Sequence, residues 1–376
     1  MNARRVAIQL ISTGGLYGAE RVLLELATYL RDQGWESHVL ALEGTGAGPL
    51  VERARQLGLE AEAFVPTGRL GLRPMMAKLS QFLRRCPRAI LHTHGYKPDI
   101  LLRAMGVPRH RVCLATCHNW ISENLKMRAL EVLDRRALRN FDHVVAVSTE
   151  VVNKLLVSGM DPTRVSRIAN GIAIPHVPAD ARVSLRSEFG IPQGSRIVAQ
   201  IGRLVRAKRN DRLLEAVAEL RDATNVHVLL AGEGDQRVAL EELAVDRGIA
   251  SRVHFCGYRA DVARILAGSD LLALTSDTEA MPIIVLEAMA MSCPILATAV
   301  GGVPEMLGEG RAGWLVPIGD VGALSRALQE MLDEPDVAGR RAATAHELFR
   351  RNYSVESMGA AYLGLYERSW AMRGWA

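Results

Sequence analysis

Short apolar, β-branched runs alternate with amphipathic stretches along the whole chain. In the first half, VAIQLI (6–11), HVLAL (38–42), AILHTH (89–94), VCLAT (112–116) and HVVAVS (143–148) each read as a buried strand. Helical patterns lie between them. In ERVLLELATYLRDQG (20–34) apolar residues return every three or four positions, and Gly34 stands where a helix end favours glycine. The second half repeats the alternation with IVAQIG (197–202), HVLLAG (227–232), LLALT (271–275) and PILAT (294–298). Such strand–helix repeats predict parallel sheets covered by helices. Two doubly wound α/β units are expected, residues 1–175 and 190–353, joined by the proline-rich, aperiodic NGIAIPHVPAD (170–180). A last helix, about 354–370, follows an arginine-rich stretch, and the segment 354–376 is expected to pack away from the second sheet, as part of the first unit. Open α/β sheets bind ligands beyond the carboxyl ends of their strands, so the two units are expected to face a central cleft.

At 376 residues and 49% hydrophobic content the chain can fill two cores, which excludes a disordered protein. No apolar run approaches the roughly 20 residues that span a bilayer. MNARRVAIQLISTGG has the charges of a secretory leader, but Val6–Ile11 is short and no small-residue cleavage site follows, so a first strand and a cytoplasmic location are expected. The five cysteines, Cys86, Cys113, Cys117, Cys256 and Cys293, are scattered and odd in number, as reduced thiols would be. Cys113 and Cys117 beside His118 echo a metal site, yet the spacing fits no zinc module.

Charge divides the chain. Residues 1–180 carry 24 Lys+Arg against 16 Asp+Glu, and the remainder 22 against 25. The basic half meets something anionic, a membrane surface or a phosphorylated substrate, or it is simply solvated. RPMMAKLSQFLRRCPR (73–88) is the candidate membrane contact, or a plain surface helix. Nucleic acid is not expected, because aromatics do not interleave the basic residues.

Several loops after strands carry candidate chemistry. STGGLYGAER (12–21) opens a helix, and Gly14, Gly15 and Gly18 let backbone approach an anion there. IGRLVRAKRNDRLLEAV (201–217) places Arg203 and Lys208 where a diphosphate could bridge them, with Arg206 and Arg209 adding charge that needs a partner. LLAGEGDQR (229–237) brings Gly232 and Gly234 after another strand. His92, His94 and His118 all fall near strand ends, and His118, in TCHNW, suits a sugar ring. No D-x-D occurs in the chain, so a metal-bridged diphosphate lacks an obvious ligand set. In TSDTEAMPIIVLEAMA (275–290), Glu279 falls in a loop, Met281-Pro282-Ile283 starts an apolar helix with free N–H groups for phosphate, and Glu287 lies about one turn inside. A buried Glu287 needs a partner, a ribose diol or an arginine.

These stretches together resemble the GT-B glycosyltransferases of retaining family 4. GRLVRAK, LLAGEGDQR, VHFCGYRADVARILAGSDLLALTS, EAMPIIVLEAMA and PILATAVGGVPEML carry the resemblance in the second half. GGLYGAERVLLELA, LHTHG, VSTEV and NGI carry it in the first. The resemblance implies a GT-B fold of two Rossmann-like domains, the first binding acceptor and the second the nucleotide-sugar. It implies that Glu279 contacts the transferred sugar and Glu287 the ribose. Arg203 and Lys208 would hold the donor diphosphate, Gly15 or Gly18 would offer backbone N–H to it, and His118 would face the donor sugar. No cofactor or metal is expected, since Arg203 and Lys208 supply the charge. The implied acceptor is a glycan or a lipid-linked precursor. Two departures stand out: Ala280 follows Glu279 where the family most often has glycine, and a short insertion separates Gly14-Gly15 from YGAER. Two other readings compete. A dinucleotide-dependent oxidoreductase lacks its G-x-G-x-x-G in either half, and a non-catalytic sugar-nucleotide-binding subunit would not need Glu279, Glu287, Arg203 and Lys208 together.

Overall fold

The computed structural model describes residues 4–13, 15–42, 47–66, 71–118, 120, 125–177, 179–220 and 225–375. Gly14 and Asn119 of the motifs above lie outside them. The chain divides into two compact units, Met1–Ala173 with Ser354–Ala376, and Ile174–Tyr353.

The first unit holds a seven-stranded sheet: β1 (Val6–Ser12), β2 (Glu36–Leu42), β3 (Glu60–Phe64), β4 (Ala89–His94), β5 (Val112–Cys117), β6 (His143–Ala146) and β7 (Val165–Arg167). Its order is β3-β2-β1-β4-β5-β6-β7, and every pairing is parallel. β4 and β5 are buried at every position, the mark of a sheet covered on both faces. Helix Gly18–Asp32 buries Val22, Leu23, Leu24, Leu26, Ala27 and Leu30, and Gly34 takes φ +84° just beyond its end. Helix Val355–Met372, capped by Ser354, packs against it. Trp35 wedges edge-on between Tyr366 and Trp370 of that helix, with ring centroids 5.4 and 5.5 Å away.

The second unit has six parallel strands: β8 (Arg196–Ile201), β9 (Val226–Ala231), β10 (Val253–Gly257), β11 (Leu271–Leu274), β12 (Ile295–Thr298) and β13 (Trp314–Val316), in the order β10-β9-β8-β11-β12-β13. One face of β8 and β9 packs Val198, Val228 and Leu230 against Leu213, Leu214 and Leu240. The other packs Ile197, Ala199 and Leu229 against Leu185 and Ile265.

Four strands were not legible in the hydrophobic pattern. β7 and β13 are three residues long, and β3 (EAEAF) carries two glutamates on an edge. β10 is only half-buried beyond its first residue. β12 starts at Ile295 rather than Pro294, whose carbonyl accepts from Leu272 N–H at 2.8 Å. The strand expected over 143–148 stops at Ala146, because Ser148 caps the next helix by accepting from Val151 N–H. Residues 73–88 fall on helix Leu72–Arg85, which buries Met75, Leu79 and Leu83 and leaves Arg73, Arg84 and Arg85 exposed. No helix among the described residues is long and apolar enough to cross a membrane.

Candidate active site

In the second sheet, chain order reverses between β8 and β11: β9 and β10 lie to one side of β8, and β11 to β13 to the other. Loops leaving neighbouring strands in opposite directions open a crevice at such a point. Lys208 leaves β8 and Glu279 leaves β11, and the two meet there. Lys208 Nζ donates to Glu279 Oε1 at 2.6 Å, and the Ser276 hydroxyl donates to the same oxygen at 2.7 Å. Glu279 is therefore no solvated loop residue; its side chain is 10% exposed.

Lys208 is placed by its own backbone. Arg206–Lys208 form a single 3₁₀ turn, and Arg209 follows in the left-handed region at φ +49°. Gln200 of β8 donates to the Lys208 carbonyl at 3.1 Å and to the Thr275 hydroxyl at 2.9 Å. That hydroxyl lies 3.0 and 2.8 Å from the carbonyls of Lys208 and Arg209. Asp277 N–H donates to the Ala207 carbonyl at 2.9 Å, tying the two loops through backbone as well. Arg209 finds its partners in Asp211 (2.7 Å) and Asp277 (3.3 Å). Hydrogen bonding to Asp211 holds its guanidinium even more firmly protonated than usual. Arg203 is different: it is exposed, and no described residue pairs with it.

Two further loops brace these. A Cβ on Gly232 would lie 1.9 Å from the Gly202 carbonyl oxygen, and one on Gly234 would lie 2.1 Å from that of Leu204, so the turn after β9 packs backbone to backbone under Arg203. On the other side Gly301, at φ +58°, sits so close to the Glu279 carbonyl that a Cβ would come within 1.9 Å. Gly302 N–H donates to the Ala280 carbonyl at 2.7 Å. Ala280 thus fits a loop shaped from its backbone side.

Met281 and Pro282 are buried, and Pro282 is the N-cap of helix Ile283–Ala290 rather than its first turn. Val285 N–H already bonds the Pro282 carbonyl at 3.1 Å; the N–H groups before it have no acceptor within the helix, which is what an anion site requires. Glu287 is half-buried, one turn inside, so the fully buried carboxylate expected from the apolar helix is not what the fold builds.

In the first unit the glycine turn follows β1, again beside a reversal of order, between β1 and β4. Thr13 Oγ1 accepts from Gly15 N–H at 3.0 Å, and Gly18 starts the helix, whose Glu20 accepts from Tyr17 N–H at 3.1 Å. His118 follows β5 directly, with its Nε2 shielded from solvent, and burial lowers its pKa to about 4. His94 stacks at 6.0 Å from it, and the His92 ring lies tilted 4.3 Å from that of His94. His92 serves structure: its Nδ1 pairs with Tyr366 Oη and its Nε2 with Thr116 Oγ1, both at 2.8 Å. Among the described residues no three His, Cys, Asp or Glu side chains are grouped to hold a metal ion.

Sequence reasoning brought Lys208 and Glu279 to one place and named neither Gln200, Thr275 and Ser276 nor Gly301. Thr275 and Ser276 open the very stretch that pointed to Glu279, but a hydroxyl at a strand end gives no periodic signal.

Comparison with known proteins then decides the family. A family model described as "Glycosyl transferases group 1" matches residues 182–347, and one described as "Glycosyltransferase Family 4" matches residues 17–174. The chain belongs to the GT-B glycosyltransferases of the group 1, family 4 type. This glycosyltransferase is 26% identical over 307 residues to N-acetyl-alpha-D-glucosaminyl L-malate synthase of Bacillus anthracis, covering 77% of this chain and 78% of that protein. It is 32% identical over 180 residues to the lipopolysaccharide core biosynthesis glycosyltransferase LpsE of Rhizobium meliloti (strain 1021), covering 48% of this chain and 52% of that one. The chain therefore spans only about half the length of that second relative. The crystal structure of Anabaena Alr3699/HepE in complex with UDP-glucose shares the fold at a TM-score of 0.86 and 21% identity, covering 96% of this chain and 99% of that one.

Proposed function

We propose that this glycosyltransferase moves a sugar from a nucleoside diphosphate donor to a glycan or lipid-linked acceptor, with retention at the anomeric carbon. The observation that carries the reading is the Lys208–Glu279 pair, held 2.6 Å apart at the reversal of the second sheet. Arg203 offers a free guanidinium for the diphosphate, and Lys208 a mobile ammonium that becomes available when Glu279 turns to a sugar hydroxyl. As the donor bond breaks, negative charge grows on the departing phosphate, and cations already in place stabilise it without rearranging. The N-terminus of the 283–290 helix adds backbone N–H groups to the same charge. Glu287 is assigned to the ribose diol; His118, with Gly15 or Gly18, is assigned to the donor by the family resemblance. Arg203 and Lys208 do the work that a divalent cation does elsewhere. The UDP-glucose held by the Anabaena protein supports the donor class, and the lipopolysaccharide relative supports the acceptor class.

A thermal-shift screen of nucleoside diphosphates and their sugars, with and without EDTA, tests this. A ligand bound only by the folded chain raises its melting temperature. One nucleotide family should stabilise, unaffected by EDTA, and NMR of the product should show the donor's anomeric configuration. If no donor stabilises the chain, the donor pocket is closed or degenerate, and a non-catalytic protein that keeps the fold without the site replaces this reading.

A further inference from the structure

Two carboxyl groups away from the donor loops have no ordinary explanation. Asp99 lies on helix Tyr96–Ala104 and Asp134 on helix Leu125–Leu138, and each residue is 2% exposed. These helices pack together, and the first also packs against β1 and β4. Asp99 Oδ1 and Asp134 Oδ1 are both shielded from solvent, and neither has a donor among the described residues. Two orphaned carboxylate oxygens in one packed helix pair would be costly if both groups were ionised.

Their surroundings are unequal. Asp134 Oδ2 accepts from the Trp120 indole N–H at 2.7 Å, and the Arg135 guanidinium lies 4.8 Å from the Trp120 ring centroid. The groups acting on Asp99 are Asp134 and the Thr93 hydroxyl, and that hydroxyl gives its proton to the Leu114 carbonyl at 3.1 Å. Other titratable groups facing the pair are Glu131 beside Asp134 and the buried Cys113 and Cys117 thiols of β5. Burial, then the neighbouring Asp134, pushes the Asp99 carboxyl well above its ordinary value of 3.8, and burial raises Asp134 too.

We infer that Asp99 and Asp134 hold one proton between them, Asp99 donating to Asp134 Oδ1, and that the pair positions Trp120 and, two residues upstream, His118. One proton satisfies both orphaned oxygens at once. The anion then sits on Asp134, where the indole N–H and Arg135 favour it, and the acid on Asp99, where no cation does. Neither aspartate touches substrate. Their link to turnover rests on the proposed role of His118 at the donor sugar; their shared proton does not.

Tryptophan emission of the full chain, taken as the difference from Trp120→Phe, follows the pair from about pH 4 to about pH 9. Asp99→Asn keeps the shape and donates an amide N–H that does not titrate; Asp99→Ala removes the donor. Wild type should show a one-proton transition above the ordinary aspartate range, absent in Asp99→Asn. Asp99→Ala should lower kcat by about 10- to 100-fold with KM little changed, as misplacement of a site residue does, and Asp99→Asn should restore it. The same transition in Asp99→Asn, or a flat wild-type signal, overturns the inference. If Asp99→Ala fails to fold, wild type against Asp99→Asn decides alone. A His118→Ala variant with undiminished turnover would remove the role of His118 and leave the proton assignment standing.

Discussion

Lys208 Nζ and Glu279 Oε1, 71 residues apart in the chain, stand 2.6 Å from each other at the point where the second sheet reverses its order. The pair neutralises itself until a ligand arrives. On the proposed reading, a diphosphate and a sugar hydroxyl would each take one member, and donor binding would exchange one set of charge-assisted bonds for two. Glu279→Gln should reduce kcat/KM by about 10²–10³, the scale of losing one preorganised transition-state contact. Steady-state kinetics checks this, and unchanged activity would remove Glu279 from the sugar site.

Arg203 and Lys208 should separate in their effects. Arg203 is exposed and unpaired among the described residues, so Arg203→Ala should weaken nucleoside diphosphate binding while moving stability by no more than about 0.5 kcal/mol. Lys208→Ala strips a mostly buried carboxylate of its cation and should cost about 1–3 kcal/mol as well as binding. Calorimetric titration with a nucleoside diphosphate, alongside denaturant unfolding, distinguishes the two.

Gly301 packs its bare backbone against the Glu279 carbonyl. Gly301→Ala meets both a left-handed φ of +58° and the Glu279 carbonyl, whereas Gly190→Ala, at φ +62° with open space around it, meets only the first. The strained backbone should cost each about 1–2 kcal/mol of stability, and Gly301→Ala should lose more because it must also displace the Glu279 carbonyl. Only Gly301→Ala should also lower kcat. Equal kinetics in the two variants would mean that Gly301 does not shape the site.

Burial keeps His92 and His118 uncharged in the fold, with pKa values lowered to about 3 and about 4, and lowers His94 as well. Once unfolded they bind protons near 6.5, so the unfolded chain takes up more protons between those values and 6.5. Stability present above about pH 6.5 should fall as the pH drops towards 4, by up to about 1.4 kcal/mol per pH unit for each group. Urea midpoints across that range measure it. Tyr366→Phe removes the hydroxyl that meets His92 Nδ1 and Gln9 Nε2 and should cost about 1–3 kcal/mol.

The long buried strands were legible because a run such as AILHTH has only one comfortable place, between two layers of helix. β7, β10 and β13 were not, since an edge strand of three residues or a half-buried one looks like loop. Lys208 and Glu279 were legible as motif positions, but their contact depends on β8 lying next to β11, which is a property of topology. Gln200 and Thr275 escaped notice for a related reason. Their hydrogen bonds run to carbonyls, and any residue can supply a carbonyl. The helix Pro335–Asn352 was read as a polar, arginine-rich stretch, its narrow apolar face of Ala338, Ala342, Ala345 and Phe349 being mostly alanine.

Tyr362 and Tyr366, whose hydroxyls complete the network of Thr116, His92 and Gln9, belong to helix Val355–Met372, on the far side of the second unit in the chain. The unit begun at β1 is therefore completed only after all of 174–353 has been made. At ordinary translation rates its polar core waits roughly 10–40 s for those two rings. A chain stalled at Tyr353 would hold Gln9, His92 and Thr116 with their partners unmade, and would be a substrate for chaperones and proteases rather than a shorter working domain.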